Sequence, residues 1–295
     1  MILILDFTHP TGRGPKAEHL MQAQVDHPKT EIGEGSKVEK MPGHWLLARL
    51  GKRILRPGGR EATAWLLSEA RPGPSDDVVE FAPGLGITAR EILARSPRSY
   101  AGIERDEGAA AVAARNIGTL GFENARIVQG DAARVPLPAG SASFVIGEAM
   151  LSMQPPQKKE AIVREAARLL RPGGRYALHE LALRPGTSEE EKEIVQRELS
   201  SAIHVGVRIG TPEEWKALLE SNGFVVRAQT TVPMRLLELD RLLDDEGLFG
   251  VARMAFNAIR TPGALARLRQ MRRAFRSQRD RLCAICLVAE RAAEV

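Results

Sequence analysis

Apolar residues fall into two spacings along this chain, and the regular exchange between them begins near position 75. Beyond it, short apolar runs at 78–82, 100–104, 125–129, 143–147, 175–181, 224–228 and 282–288 read as strands. Between them, apolar residues recur every three or four positions at 84–95, from Asp106 to about Gly121, at 157–170 and at 211–222, which predicts helices. Asp106 is a capping residue by type. Thr211-Pro-Glu-Glu214 joins a cap, a proline in the first turn and a glutamate three positions on. This alternation predicts an α/β fold, a mostly parallel seven-stranded sheet with helices on both faces. The interval before the last strand is longer than a crossover needs, so it predicts a helical insertion.

Two shorter helical patterns precede the sheet. The first covers 45–50 and is expected to stop at Arg56-Pro-Gly-Gly-Arg60; the second covers 62–69 and stops at Arg71-Pro-Gly-Pro74. Residues 1–40 show no sustained period and read as a loosely draped extension. The expected organisation is an extended segment 1–40, a helical lid 41–75, and a main domain 76–295 with cap insertions at about 184–210 and 233–280.

The chain has 295 residues, 43% apolar and 27% charged, enough to bury a core without disulfides. Two cysteines exclude a disulfide scaffold. No run is apolar enough for a transmembrane segment, and Met1-Ile-Leu-Ile-Leu5 meets Asp6 at once, a poor signal peptide; the expected location is cytoplasmic. The net charge of +5 is concentrated in an arginine-rich stretch, 260–281. Leu265, Leu268, Met271 and Phe275 recur there at helical spacing, so the first expectation is a helix with one buried and one solvated face. An anionic partner is the alternative. Aromatics are only 4%, which gives no base-stacking platform.

Ligands of such sheets bind beyond the carboxyl ends of the strands. The first strand end offers Glu80-Phe-Ala-Pro-Gly-Leu-Gly86, where Gly84 and Gly86 permit a sharp turn and close approach of a ligand. The second ends in Glu104, able to accept both hydroxyls of a ribose. The third ends in Gln129-Gly-Asp131-Ala132, placing an acid where an exocyclic amine could donate. Three acids at three successive strand ends are a narrower coincidence than any one.

With Leu170-Arg-Pro-Gly-Gly174, this constellation resembles the class I S-adenosylmethionine-dependent methyltransferases over roughly residues 76–232. It looks closest to the small-molecule group that includes ubiquinone/menaquinone-biosynthesis enzymes. The resemblance implies a Rossmann-like fold and S-adenosyl-L-methionine as cofactor. It implies that Glu80 helps hold the methionine amino group, that Gly84 and Gly86 border methionine and ribose, and that Glu104 takes the ribose hydroxyls. Asp131 and the Ala132 backbone would meet adenine, and Glu148-Ala-Met150 would lie near the sulfonium. Arg105, beside Glu104, belongs to the expected cofactor set. Ala82 stands where the family pattern has glycine.

An activated methyl donor leaves the protein mainly to align a nucleophile. A base is needed for an acceptor such as a hydroxyl, and the expected candidates are His179, Glu148 and His204, with Glu180 as the strand neighbour of His179. His179 is the first choice because an imidazole as a side-chain type ordinarily titrates near neutrality. His44 and Trp45 fall in the lid. The expected acceptor is a small molecule, with a hydrophobic one among the options. A nucleic-acid methyltransferase using 260–281 is the alternative, disfavoured because Gly147-Glu-Ala-Met150 lacks the Asn/Asp-Pro-Pro-aromatic signature. A non-catalytic S-adenosylmethionine-binding module is another, and a nicotinamide dehydrogenase fits Asp131 less well. Cys283 and Cys286, three apart on a strand, face opposite sides and read as buried thiols rather than a metal or redox pair.

Overall fold

The computed structural model describes residues 37–293, so most of the segment expected at 1–40 lies outside the described residues. In chain order the elements are α1 (Gly43–Leu50), α2 (Gly59–Ala70), β1 (Asp77–Phe81), α3 (Ile87–Leu93), β2 (Ser99–Glu104), α4 (Glu107–Gly118), β3 (Ala125–Gln129) and β4 (Ala142–Glu148). A 3-10 turn, Leu151–Met153, then leads to α5 (Pro156–Leu169), β5 (Leu170–Leu183), α6 (Glu189–Ile203), α7 (Pro212–Glu220) and β6 (Phe224–Pro233). The chain continues through α8 (Leu239–Arg260) and α9 (Ala264–Ser277) to β7 (Leu282–Arg291).

The seven strands form one sheet in the order β3-β2-β1-β4-β5-β7-β6. The first five pair in parallel, whereas β7 slots between β5 and β6 and is antiparallel to both. Alternation of side chains divides the core between the two faces. Phe81, Val145, Leu178, Ile285 and Trp215 pack on one; Val78, Tyr100, Phe144, Ile146 and Leu66 pack on the other. Cys283 belongs to the first cluster and Cys286 to the second, and burial pushes both thiols up in pKa. Among the described residues no group of His, Cys, Asp or Glu could hold a metal ion. No described helix is long and apolar enough to cross a membrane.

Several local expectations shift. The stop for α1 is Gly51, left-handed at φ 105°, whose N–H reaches the Ala48 carbonyl at 2.9 Å; Arg56-Pro-Gly-Gly59 leads into α2 instead. The helix expected from Gly84 begins only at Ile87, because Gly84 (φ 56°) and Gly86 (φ 71°) form a left-handed turn. Arg171-Pro-Gly-Gly174 lies inside β5, as an irregularity between the pairings Ala142 to Leu170 and Phe144 to Arg175. Proline lacks a ladder donor and Gly173 has φ 74°, so this tetrapeptide bulges out. The caps at Asp106 and Thr211 form as expected: Asp106 accepts the Ala109 N–H at 2.8 Å, and Thr211 with Glu214 makes a capping box.

The extra helices assemble above the strand ends. Leu46, Leu47 and Leu50 of α1 share a cluster with Leu237, Ala258, Ala264 and Met271 from the interval between β6 and β7. Of the arginine-rich stretch, Arg267 is buried and donates to the Ala202 and Met41 carbonyls, and Arg272 and Arg276 pair with Glu238.

Candidate functional site

A cavity of about 660 Å³ opens where β1 to β4 end, within the roughly 300–1,000 Å³ of small-ligand sites. Its walls include Glu80, Ala82, Gly84, Glu104, Arg105, Asp131, Ala132 and Glu148. Gly86 is not in the wall; it supports the turn below, close to Ala113 of α4. The three strand-end acids therefore converge, although they lie on different strands.

Their environments differ. Glu104 is buried, and its carboxylate accepts the N–H groups of Gly84 (3.1 Å), Arg105 (2.8 Å) and Asp106 (3.1 Å). Burial raises its pKa more than these donors lower it. Asp131 is half exposed and accepts from Lys158 and from the Ala133 N–H; burial works to raise its pKa, but these contacts hold it below the usual range. Glu80 is buried and accepts the Tyr100 hydroxyl at 2.7 Å. Burial pushes its pKa up to about 8, with the Glu148 charge adding to the rise.

Glu148 is the opposite case. Its Oε1 is 2.6 Å from the Thr63 hydroxyl and 2.9 Å from His179 Nδ1; its Oε2 is 2.5 Å from the Thr88 hydroxyl and 3.2 Å from Arg56 Nη1. Burial alone would raise its pKa, yet the Arg56 charge and the His179 and Thr63 hydrogen bonds bring it to about 2. A carboxylate held that firmly is a fixed negative charge and a weak base.

His179 does not occupy the place expected of it. It is fully buried and outside the cavity wall. Its Nε2 accepts the Gly58 N–H at 3.0 Å, so the imidazole proton sits on Nδ1 and is donated to Glu148. Both nitrogens are engaged, and the expected proton-accepting role gives way to one of orienting Glu148. The contact needs glycine at 58, where a Cβ would lie 2.9 Å from His179 Nε2 and 2.5 Å from the Ala62 Cβ. Glu180 turns to the other face and accepts the Met150, Leu151 and Ser152 N–H groups at 2.8, 2.6 and 3.0 Å. His204 is likewise outside the cavity wall, although its neighbours Ile203 and Val205 are in it: it caps α6, exposed, with Nε2 2.9 Å from Arg267 Nη1. Its position at a helix end was invisible to a reading based on residue type.

The structure adds two residues to which the sequence lent little weight. Arg56 lines the cavity with its side chain 9% exposed; among the described residues its Nε and Nη2 are buried without a hydrogen-bond partner, Nη2 lying 3.9 Å from Glu91 Oε1. His44 also lines it, tilted against Trp45 at 4.6 Å. Burial lowers the His44 pKa to about 4, opposed by the Asp106 charge, so this imidazole is neutral at pH 7. The signal for Arg56 was present as an Arg-Pro-Gly-Gly linker between two lid helices.

The lid and the cap segments also bring apolar side chains to the wall, among them Leu47, Leu55, Val207, Met234, Met271 and Phe275. Ala82, at the glycine position of the family pattern, has φ 51°, a conformation costing an L-residue about 1–2 kcal/mol. Ala82→Gly is expected to stabilise the chain by about 0.5–1 kcal/mol in urea unfolding, and an unchanged midpoint would contradict that strain.

A methyltransferase-domain family matches residues 78–174. An uncharacterised protein of Haemophilus influenzae is 32% identical over 239 residues, 81% of this chain and 92% of that one. An O-methyltransferase of Pyrenophora dematioidea is 26% identical over 212 residues, 70% of this chain and 75% of its own. Phosphoethanolamine N-methyltransferase 2 of Haemonchus contortus, solved with phosphomonomethylethanolamine and S-adenosylhomocysteine, shares the fold, with a TM-score of 0.66 at 16% identity over 89% of this chain and 60% of that chain. The matched domain spans β1 to the start of β5, the strands whose ends floor the cavity, and with that agreement the chain belongs to the class I S-adenosylmethionine-dependent methyltransferases.

Proposed function

We propose that this enzyme methylates a small, largely apolar acceptor held in the part of the cavity walled by Met234, Met271 and Phe275. The observation that carries the reading is that one cavity joins the strand-end acids to apolar side chains contributed by the lid and the cap helices. The O-methyltransferase relative is consistent with an oxygen acceptor.

The residues present fit S-adenosylmethionine. Among the described residues, Arg56 Nε and Nη2 are buried donors without a hydrogen bond, Nη2 having only the Glu91 carboxylate at 3.9 Å, and Glu80 is a buried acid with no ion pair, the Arg56 charge acting on it from farther off. Together they complement the carboxylate and ammonium of an amino-acid end. Glu104 would take the ribose hydroxyls, and Asp131 with the Ala132 backbone the adenine. When bound, the cofactor supplies a methyl group already activated by positive sulfur. Glu148, ionised throughout the neutral range, would attract that positive charge. Methyl transfer dissipates the charge, so Glu148 contributes to affinity more than to the chemical step. His179, Thr63 and Thr88 hold it in place. Among the described residues, no cavity side chain combines exposure to the acceptor with a pKa near 7, so the chain's main contribution is alignment and exclusion of water.

The test is transfer of tritiated methyl from S-adenosylmethionine into an extract. Label is expected in organic-soluble small molecules; label confined to nucleic acid or protein would refute the acceptor assignment. Glu80 adds a linked prediction. At pH 7 a carboxyl with a pKa of about 8 is mostly protonated, and an ammonium beside it favours ionisation, so cofactor binding releases up to about one proton. Calorimetry in two buffers of different ionisation heat should give different apparent enthalpies at pH 7, with the sign of the proton exchange reversing by pH 9, where Glu80 is already ionised and the cofactor's own amine must gain a proton to bind as ammonium. The same group makes the free protein less stable as pH rises: the unfolded chain loses this proton near pH 4.5, the folded one holds it to about 8. Buffer-independent heats would remove Glu80 from the ammonium site.

A further inference from the structure

The second half of α8 carries an apolar stripe turned to solvent. The helix is interrupted at Gly247 (φ 72°, ψ 170°), and beyond the break Leu248, Phe249, Phe256 and Ile259 are 72%, 90%, 57% and 71% exposed. At the helical repeat, Leu248, Phe249, Ala252, Ala255, Phe256 and Ile259 occupy a continuous arc of about 120° without a polar member. Met254 and Ala258 bury the opposite side, so the outward stripe is not the helix's core face. Arg253 and Arg260 border the arc, and the Arg260 guanidinium lies over the Phe256 ring at 5.2 Å. From Leu248 to Arg279 the chain has eight arginines and no acid. Exposed aromatic and aliphatic side chains in one patch mark an interaction surface rather than scattered solvated residues.

We infer that this α8 stripe, with its arginine border, docks the enzyme on an anionic lipid surface. A helix lying in the interface needs an apolar face to enter the acyl boundary and cations to meet the headgroups, and both occur here on one element. A second copy of the chain is a poorer occupant, because it would set Arg253 and Arg260 beside the same two arginines of its partner with no acid on the stripe to offset them. Nucleic acid would be served by the arginines but gives no use for Leu248 and Ile259. Docking would also have a consequence for the site. α9 follows directly and brings Met271 and Phe275 to the cavity wall, so that part of the wall would be held close to the lipid. Lipid docking does not depend on the acceptor proposed above.

The test is flotation of the full chain with vesicles of phosphatidylcholine alone and of phosphatidylcholine mixed with phosphatidylglycerol. Binding to the mixed vesicles is expected to be at least about tenfold the stronger, and to weaken with salt. Phe249→Asp combined with Phe256→Asp should reduce it about tenfold or more, and Arg253→Gln with Arg260→Gln should reduce it and flatten its salt dependence. Circular dichroism and S-adenosylmethionine affinity should stay at their wild-type values, since all four side chains are exposed and none lines the cavity. Four results would each overturn the inference: no flotation with mixed vesicles, equal flotation with neutral ones, a dimer that the aspartates convert to monomer, or displacement from vesicles by single-stranded RNA at equal ionic strength. In Phe249→Cys without vesicles, protection from a water-soluble maleimide would mean that the chain itself covers the stripe, and that too would overturn lipid docking.

Discussion

Glu246→Ala is expected to cost about 3–5 kcal/mol of stability, the largest effect of any single substitution considered for this enzyme. Glu246 is buried and its Oε1 accepts the N–H groups of Arg53 (2.8 Å) and Ile54 (2.9 Å), while Oε2 meets Arg53 Nε at 3.0 Å. Lys52, also fully buried, lies 3.7 Å from Glu246 and 3.3 Å from Asp245. Removing the glutamate leaves two backbone donors unpaired and half of the Lys52 neutralisation gone, each in a place water does not reach. Burial works to raise the Glu246 pKa, but the Ile54 N–H and the Lys52 charge outweigh it and hold it below the ordinary value. A depressed carboxyl contributes stability that is present above its unfolded pKa and is lost as pH falls through the folded one, so the wild type should show an acid-limb loss that Glu246→Ala lacks. Urea unfolding across pH checks both points. A change below about 1 kcal/mol would show that the lid does not need this clamp.

The clamp matters for function because it fixes the turn that leads to Arg56. Arg56→Ala is expected to weaken S-adenosylmethionine binding about 100-fold, near 2.7 kcal/mol, typical of truncating one side of a buried charged hydrogen bond. Arg56→Lys should recover only part of this, since an ammonium cannot present the guanidinium's forked donors. Arg56 is also the main neighbour holding the Glu148 pKa at about 2, so the alanine variant should shift the Glu148 titration upward. Calorimetric affinity and the carboxyl resonance of Glu148 would report the two effects separately. Undiminished affinity in Arg56→Ala would move the cofactor's carboxylate elsewhere. Glu246→Ala should weaken binding too, through displacement of Arg56, while its kcat falls less than its affinity.

His179 shows where reading by residue type misleads. A histidine at the end of a central strand, near an acid, has the credentials of a base. What decides its role is the Gly58 N–H, which comes from a loop 121 positions earlier and occupies the one lone pair the ring could have used. The same holds for His204, whose surroundings are set by the end of α6 and by Arg267. Glu80, Glu104 and Asp131 were legible because each ends a recognisable strand, and parallel strands carry their ends to one edge.

The arginine-rich stretch divides in a similar way. Periodicity places Leu265, Leu268, Met271 and Phe275 on one side of a helix; the last three do face the interior, whereas Leu265, in the first turn of α9, is 38% exposed. Periodicity says nothing of Arg267, which is buried with its guanidinium on two main-chain carbonyls. Nor does it distinguish the inner from the outer apolar face of α8, since both are written in the same residue types.

From the sequence alone came the elements, the caps at Asp106 and Thr211, the opposed cysteines of β7 and the row of acids, because helix and strand periods, turn chemistry and strand direction act over a few residues. Tertiary structure alone decided the antiparallel entry of β7, the burial of His179, the Lys52 and Glu246 clamp and the arrival of Arg56 at the cavity. Those depend on contacts between residues as much as 194 positions apart, as between Lys52 and Glu246, whose formation is governed by burial and charge pairing in three dimensions and leaves no period in the chain.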